Sequence, residues 1–312
     1  MNRAAVILAD GVIYWNGVVL LLAAGAAVCL FLSAYLAGGG SSAGAAVAVP
    51  VALVCSLVLS RLLHWYFMPD SYPGFLEAMT DYTRGDYALP GVFLGCLLAA
   101  GLTRLLRLET HIFRLLDAMS LGLCGGIAAG RLSFLFGCAD RGPVAEGFAP
   151  FVLPVVNEVS GNPEYRLATF VLQSVAAGLL CLILWGVFLF GKPRRGRITL
   201  LFLLFYPAGQ VVLDSTRYDS LYLRSNGFLR FSQLASAVTL AAAGVYSTVS
   251  MAKRRGFRFW QVPLWLSMAA LLAAAGYMEY VVQRRGGGWE AYLIMTASVF
   301  LFSLLSLWQS PG

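Results

Sequence analysis

Charged side chains are scarce in this sequence. Only 12% of its 312 residues are Asp, Glu, Lys or Arg, against about 25% in a soluble globular domain. With 59% hydrophobic residues and a mean hydropathy of +0.76, the deficit excludes a water-soluble fold. The roughly ten-residue alternation of a membrane β-barrel is absent, which leaves a bundle of spanning helices. Histidine occurs twice, as His64 and His111, too few for a histidine metal cluster. The six cysteines, Cys29, Cys55, Cys96, Cys124, Cys138 and Cys181, include no CxxC pair, so neither a zinc site nor a redox motif is expected. They read as small apolar packing residues. No cofactor or metal is implied. The net charge of +7 sits in short loops without the interleaved aromatics of an RNA-binding surface, so nucleic acid is not an expected partner. The N-terminal "MNRAAVILADGVIYWNG" has a short apolar run broken by Asp10 and does not read as a signal peptide.

What is present is a series of apolar runs. Nine spans are predicted, near 14–36, 44–67, 88–106, 115–137, 167–190, 197–214, 230–250, 259–282 and 290–309. The expected fold is therefore an all-α polytopic helical bundle. No internal repeat appears, which argues against a repeat-built transporter. The basic stretches "RLLRLETHIFR" (104–114), "KPRRGR" (192–197) and "KRRGFR" (253–258) follow the third, fifth and seventh spans. The positive-inside rule puts them in the cytoplasm, with the N-terminus outside and the C-terminus inside. Arg284 and Arg285 run against this pattern. The longer connections, 68–87, 138–166 and 215–229, then face outward. In the first of these Tyr72, Phe75, Tyr82 and Tyr87 suit headgroup depth.

Ionisable residues within spans are costly and normally face a protein interior or a watery cavity. Arg61 and His64 lie near the outer end of the second span. Asp117 and Arg131 lie fourteen residues apart on the fourth. Tyr206, Gln210, Asp214 and Arg217 follow at offsets of four, four and three, the spacing of one helix face. These residues have a structural reading: an Asp214–Arg217 pair would hold two helices together, and Arg131 would bind its neighbours in the same way. They also have a functional one. Arginine offers a planar fork of donors for phosphate oxygens and keeps its charge when partly buried. Two arginines converging at the outer leaflet suit a phospholipid headgroup. Asp140 and Asp214 would orient them or assist proton transfer, and Arg141 would line the mouth of the same cavity, in "GRLSFLFGCADRG" (130–142).

At these residues the sequence resembles the prolipoprotein diacylglyceryl transferase family. "GRLS" (130–133) stands where the family has Gly-Arg-Ile-Gly, with Asp117 fourteen residues before the arginine. The family's Tyr-x3-Arg-x3-Glu-x2-Arg is matched by Tyr206, Gln210, Asp214 and Arg217. "YWNG" (14–17), "SRLLHWYF" (60–67), "RGDYALPGVFLG" (84–95) and "YDSLYLRSNGFLRFSQLAS" (218–236) are similar to further family segments in the same order. Asn16 stands for a family tyrosine, Pro90 for a histidine, Gln210 for an arginine and Asp214 for a glutamate. The resemblance covers about residues 10–250, so residues 1–250 are read as a seven-span core and 251–312 as two additional helices.

The resemblance implies a phospholipid-dependent transferase of the bacterial plasma membrane. It would move diacylglycerol from phosphatidylglycerol to the lipobox cysteine of a preprolipoprotein signal peptide, at a site facing the outer leaflet. Arg131, Tyr206, Asp214, Arg217 and Asp140 are then the expected catalytic residues. Asp117, Arg61, Arg141, Gln210 and Asn16 are the expected substrate-binding ones. A second reading is a homologue that holds phospholipid or lipoprotein precursor without turnover.

Overall fold

A computed structural model describes residues 4–8, 11–80, 87–137, 140–147, 151–156, 161–191, 193–217, 221–223, 226–286 and 288–310. Tyr82 and Cys138 lie outside these residues. The long helices are α1 (Trp15–Ala37), α2 (Ser42–Phe67), α4 (Leu89–Leu105), α5 (Ile112–Arg131), α6 (Thr169–Phe190), α7 (Arg197–Ser215), α8 (Phe231–Arg255), α9 (Gln261–Arg285) and α10 (Trp289–Gln309), with a short α3 (Phe75–Thr80) between α2 and α4. Eight of them are long and apolar enough to cross a membrane. The other, α4, has 17 residues. Each coincides with a run expected from the sequence, and the chain is an all-α multi-pass membrane protein.

Among the described residues, three antiparallel hairpins flank the helices: β1 (Ala4–Leu8) with β2 (Gly11–Tyr14), β3 (Val152–Val156) with β4 (Pro163–Leu167), and β5 (Tyr222–Leu223) with β6 (Asn226–Arg230). They were not anticipated, because each strand is too short to announce itself beside the long apolar runs. Their Val, Ile and Tyr content is nonetheless typical of strands.

The chain forms two compact units. The first contains residues 1–199 and 217–232. Its helices meet through glycine. A Cβ on Gly91 of α4 would stand 2.3 Å from the Ser60 backbone nitrogen of α2, and one on Gly122 of α5 would stand 2.6 Å from the Ala27 carbonyl oxygen of α1. In a membrane, where water does not drive helices together, such close backbone approach supplies the packing energy. Asp117 on α5 caps the Gly196–Thr199 turn. Its carboxylate accepts from the Gly196 and Thr199 backbone N–H groups and from the Thr199 hydroxyl, at 2.6, 2.8 and 2.7 Å. These N–H groups at a helix start have no partner within the helix. Elsewhere in this unit, buried Glu109 accepts from Tyr35 Oη and the His111 N–H at 2.7 and 2.8 Å, with Arg114 3.8 Å away.

The second unit contains residues 200–216 and 233–312. Its core joins Leu204, Ala208 and Val211 of α7, Leu240 and Ala243 of α8, Met268 and Ala275 of α9, and Met295, Val299 and Phe302 of α10. The Ser303 hydroxyl donates to the Leu204 carbonyl, and the Gln233 side-chain amide donates to that of Val211.

Candidate active site

Arg131 is the last residue of α5, and the chain tightens there into a 3-10 turn over Leu132–Phe136. The turn packs on the start of α6: Phe134, Phe151 and Leu153 surround Ala168, Phe170 and Val171. Trp15, which opens α1, stacks on Phe136 with ring centroids 5.9 Å apart. Asn16 follows it, its side-chain oxygen accepting from the Gly17 N–H.

Asp140 then adopts a left-handed backbone, with φ at +58°. This conformation is uncommon outside glycine, although aspartate adopts it more readily than most residues. Backbone bonds from Gly142 N to Leu167 O and from Leu167 N to Pro143 O tie the following residues to the end of β4. Arg141 folds back over the 3-10 turn. It donates to the Phe134 and Gly137 carbonyls and lies 4.7 Å over the Phe170 ring.

This scaffold delivers the Asp140 carboxylate, 1% exposed, between two arginines. One oxygen pairs with Arg131 and the other with Arg217. The one carboxylate thus holds the two guanidinium groups side by side.

Arg217 reaches this position because α7 stops at Ser215. The Thr216 N–H turns back to the Leu213 carbonyl. The expected single stripe of four residues is therefore corrected to a stripe of three. Within the second unit, Tyr206 Oη donates to Gln210 Oε1 at 3.3 Å, and Gln210 Nε2 donates to Asp214 Oδ1 at 2.6 Å. All three side chains are buried.

The other expected binding residues have local tasks. Asp117 lies fourteen residues before Arg131, about 21 Å of helix rise, and its carboxylate caps the Gly196–Thr199 turn. Arg61 is 2% exposed. Its Nε donates to the Ala78 carbonyl, and its guanidinium lies 5.2 Å from the Tyr72 ring centre and 5.5 Å from that of Tyr87. Cation–π contact of this kind holds the segment after α2 against that helix. His64 Nδ1 is 3.2 Å from Tyr72 Oη. Tyr72 is thus buried against Arg61 and His64. The aspartate–arginine cluster was half legible. Each residue stood out alone, but the left-handed turn that brings Asp140 between its partners has no glycine to announce it.

Residues 4–250 match the family model described as prolipoprotein diacylglyceryl transferase. A phosphatidylglycerol–prolipoprotein diacylglyceryl transferase of Acaryochloris marina is 30% identical over 189 residues, 60% of this chain and 68% of the relative. That of Geobacillus kaustophilus is 29% identical over 204 residues, 64% of this chain and 72% of the relative. One from Clostridium botulinum is 26% identical over 209 residues, covering 65% and 80% of the two chains.

Proposed function

Because the chain belongs to the prolipoprotein diacylglyceryl transferase family, we propose that Arg131 and Arg217, oriented by Asp140, hold the phosphate of phosphatidylglycerol while its diacylglyceryl group passes to a prolipoprotein cysteine. The observation that carries this reading is the shared carboxylate, which keeps two guanidinium forks side by side.

In the reaction, a thiolate sulfur attacks the diacylglyceryl carbon bonded to the phosphate oxygen. A C–S thioether bond forms, the C–O bond breaks, and glycerol phosphate leaves with the bonding pair. The thiol proton has already gone to a base. A free thiol titrates near about 8.5, so the base has modest work to do. Charge accumulates on the departing phosphate, which changes from a monoanionic diester to a monoester carrying about −1.5 to −2. Two fixed guanidinium groups favour that change, because their donors are aligned before charge develops. Asp140, committed to two arginines, orients them. Asp214, linked through Gln210 to Tyr206, completes the buried polar ladder of α7. Arg61 and Asp117 hold the surrounding elements in place, and Asn16 and Arg141 shape the approach to the cluster.

The site is assigned to the outer leaflet of the bacterial plasma membrane, with the N-terminus outside, the C-terminus in the cytoplasm and the lipobox cysteine entering from the lipid. The alternation of basic loops supports this orientation. Residues 251–312, beyond the family match, are assigned as an added pair of helices. Cysteine probes in 143–160 should react with an impermeant reagent from outside, while probes in 193–197 should not; the opposite pattern overturns the orientation. Expression in cells depleted of their own transferase tests the activity. Thioether-modified lipoprotein is expected, and its absence from cells that insert the protein correctly overturns the transfer reading.

A further inference from the structure

The C-terminal end of α8 carries a second arrangement of charge and aromatic surface, which shares no residue with the arginine–aspartate cluster. The helix ends in Lys253, Arg254 and Arg255, and the chain turns at Gly256, with φ at +73°, through Phe257 and Arg258 toward α9. Arg254 caps carbonyl groups, donating to Ser250 O and Gln309 O at 3.2 and 3.1 Å. Among the described residues, Lys253, Arg255 and Arg258 have no hydrogen-bonding or ion-pair partner.

Beside them is a pocket of about 440 Å³ lined by Thr248, Val249, Ala252, Lys253, Phe257 and Trp265. The Phe257 and Trp265 rings are 6.0 Å apart. The indole Nε1 of Trp265 is buried without a hydrogen-bond partner. Four of the six lining residues lie beyond residue 250, where the family match ends, so the shared chemistry of the family does not account for the pocket.

Each feature narrows the occupant. An indole N–H only donates, so its partner is an acceptor. An adjacent lysine and two more cations without counter-ions select an anion. Val249 and Val245 of α8 are 45% and 61% exposed, a surface that lipid chains cover in a spanning helix. Basic and aromatic side chains at the end of a spanning helix are the usual surroundings of an anionic headgroup. We infer that this pocket binds an anionic glycerophospholipid. Lys253 and the Trp265 indole hold its phosphate, and an acyl chain runs along Thr248, Val249 and Ala252.

The experiment uses the full chain in detergent and measures lipid retention by native mass spectrometry. Phosphatidylserine serves as an anionic lipid distinct from the transferase substrate, and phosphatidylcholine as a zwitterionic control. Wild-type protein should retain phosphatidylserine about tenfold better, the worth of one charge-assisted hydrogen bond. Lys253→Gln and the double variant should bring the two lipids to parity, and Trp265→Phe should lower the retention of both. Lys253→Arg should keep the preference. Equal retention by the wild type, or a preference that survives in the double variant, overturns the inference. Displacement of the lipid by inorganic phosphate also overturns it, in favour of a site for the free anion. Lys253 is exposed, so Lys253→Gln tests the pocket even if loss of the indole donor disturbs folding.

Discussion

The carboxylate of Asp140 stands between Arg131 and Arg217, one oxygen to each guanidinium. The three residues come from the end of a helix, a left-handed turn and the chain beyond α7. None of them is set by local sequence relative to both others.

Arg131→Lys and Arg217→Lys keep the charge and lose the fork. Each should lower kcat/KM for diacylglyceryl transfer by about a hundredfold, the usual cost of removing one donor aimed at developing charge. The assay uses phosphatidylglycerol and a lipobox peptide, with the thermal midpoint as a control. Wild-type rates in both variants would sink the phosphate role.

Asp140→Asn keeps the shape and removes the negative charge from a site that retains two positive ones. Neutralising one member of a buried ion-pair group costs about 3 kcal/mol or more. The variant should unfold at a clearly lower temperature in detergent and lose transfer activity. Asp140→Gly relaxes the left-handed backbone, worth about 1 kcal/mol, and should recover only part of the stability. An Asn variant as stable as the wild type would show that the carboxylate does not hold the arginines.

Gly91→Val places a branched side chain where even a methyl carbon meets the Ser60 backbone at 2.3 Å. The neighbour is main chain and cannot rotate away. Separation of α2 from α4 should cost about 3 kcal/mol, read as a lowered thermal midpoint and faster proteolysis. Gly17→Ala is the matched control, since open space surrounds that position.

Stability should fall in acid through Glu109. Burial alone would raise its pKa, but hydrogen bonds from Tyr35 and the His111 N–H, with the nearby Arg114 charge, outweigh burial and hold it below the ordinary 4.5. A carboxyl group depressed in the folded state stabilises the protein above its unfolded value and loses that contribution as pH falls through its folded value. Thermal midpoints measured downward from about pH 5 should therefore show a decline that Glu109→Gln lacks. Identical profiles for the two proteins would remove Glu109 as the cause.

The apolar runs revealed the spanning helices because a bilayer demands length and hydrophobicity from each one separately. The spacing of Tyr206, Gln210 and Asp214 revealed their ladder, since four-residue steps align on a helix. The same arithmetic misplaced Arg217, where α7 ends before the pattern does. Arg61 and Tyr72 were individually conspicuous, but their contact depends on how the segment after α2 folds back. The hairpins went unread because a five-residue strand makes little impression beside a twenty-residue apolar helix.

The capping of the Gly196–Thr199 turn by Asp117 has a consequence for biogenesis. The cap is laid down 79 residues before the first group that it receives. During synthesis α5 therefore enters the bilayer carrying a carboxylate whose partners are still inside the ribosome and translocon. The start of α7 can be completed only after α6 has crossed and returned the chain to the same side. Asp117 thus ties the completion of α5 to the crossing of α6: until the chain has returned, the carboxylate lacks the Gly196 and Thr199 groups that it caps in the folded protein.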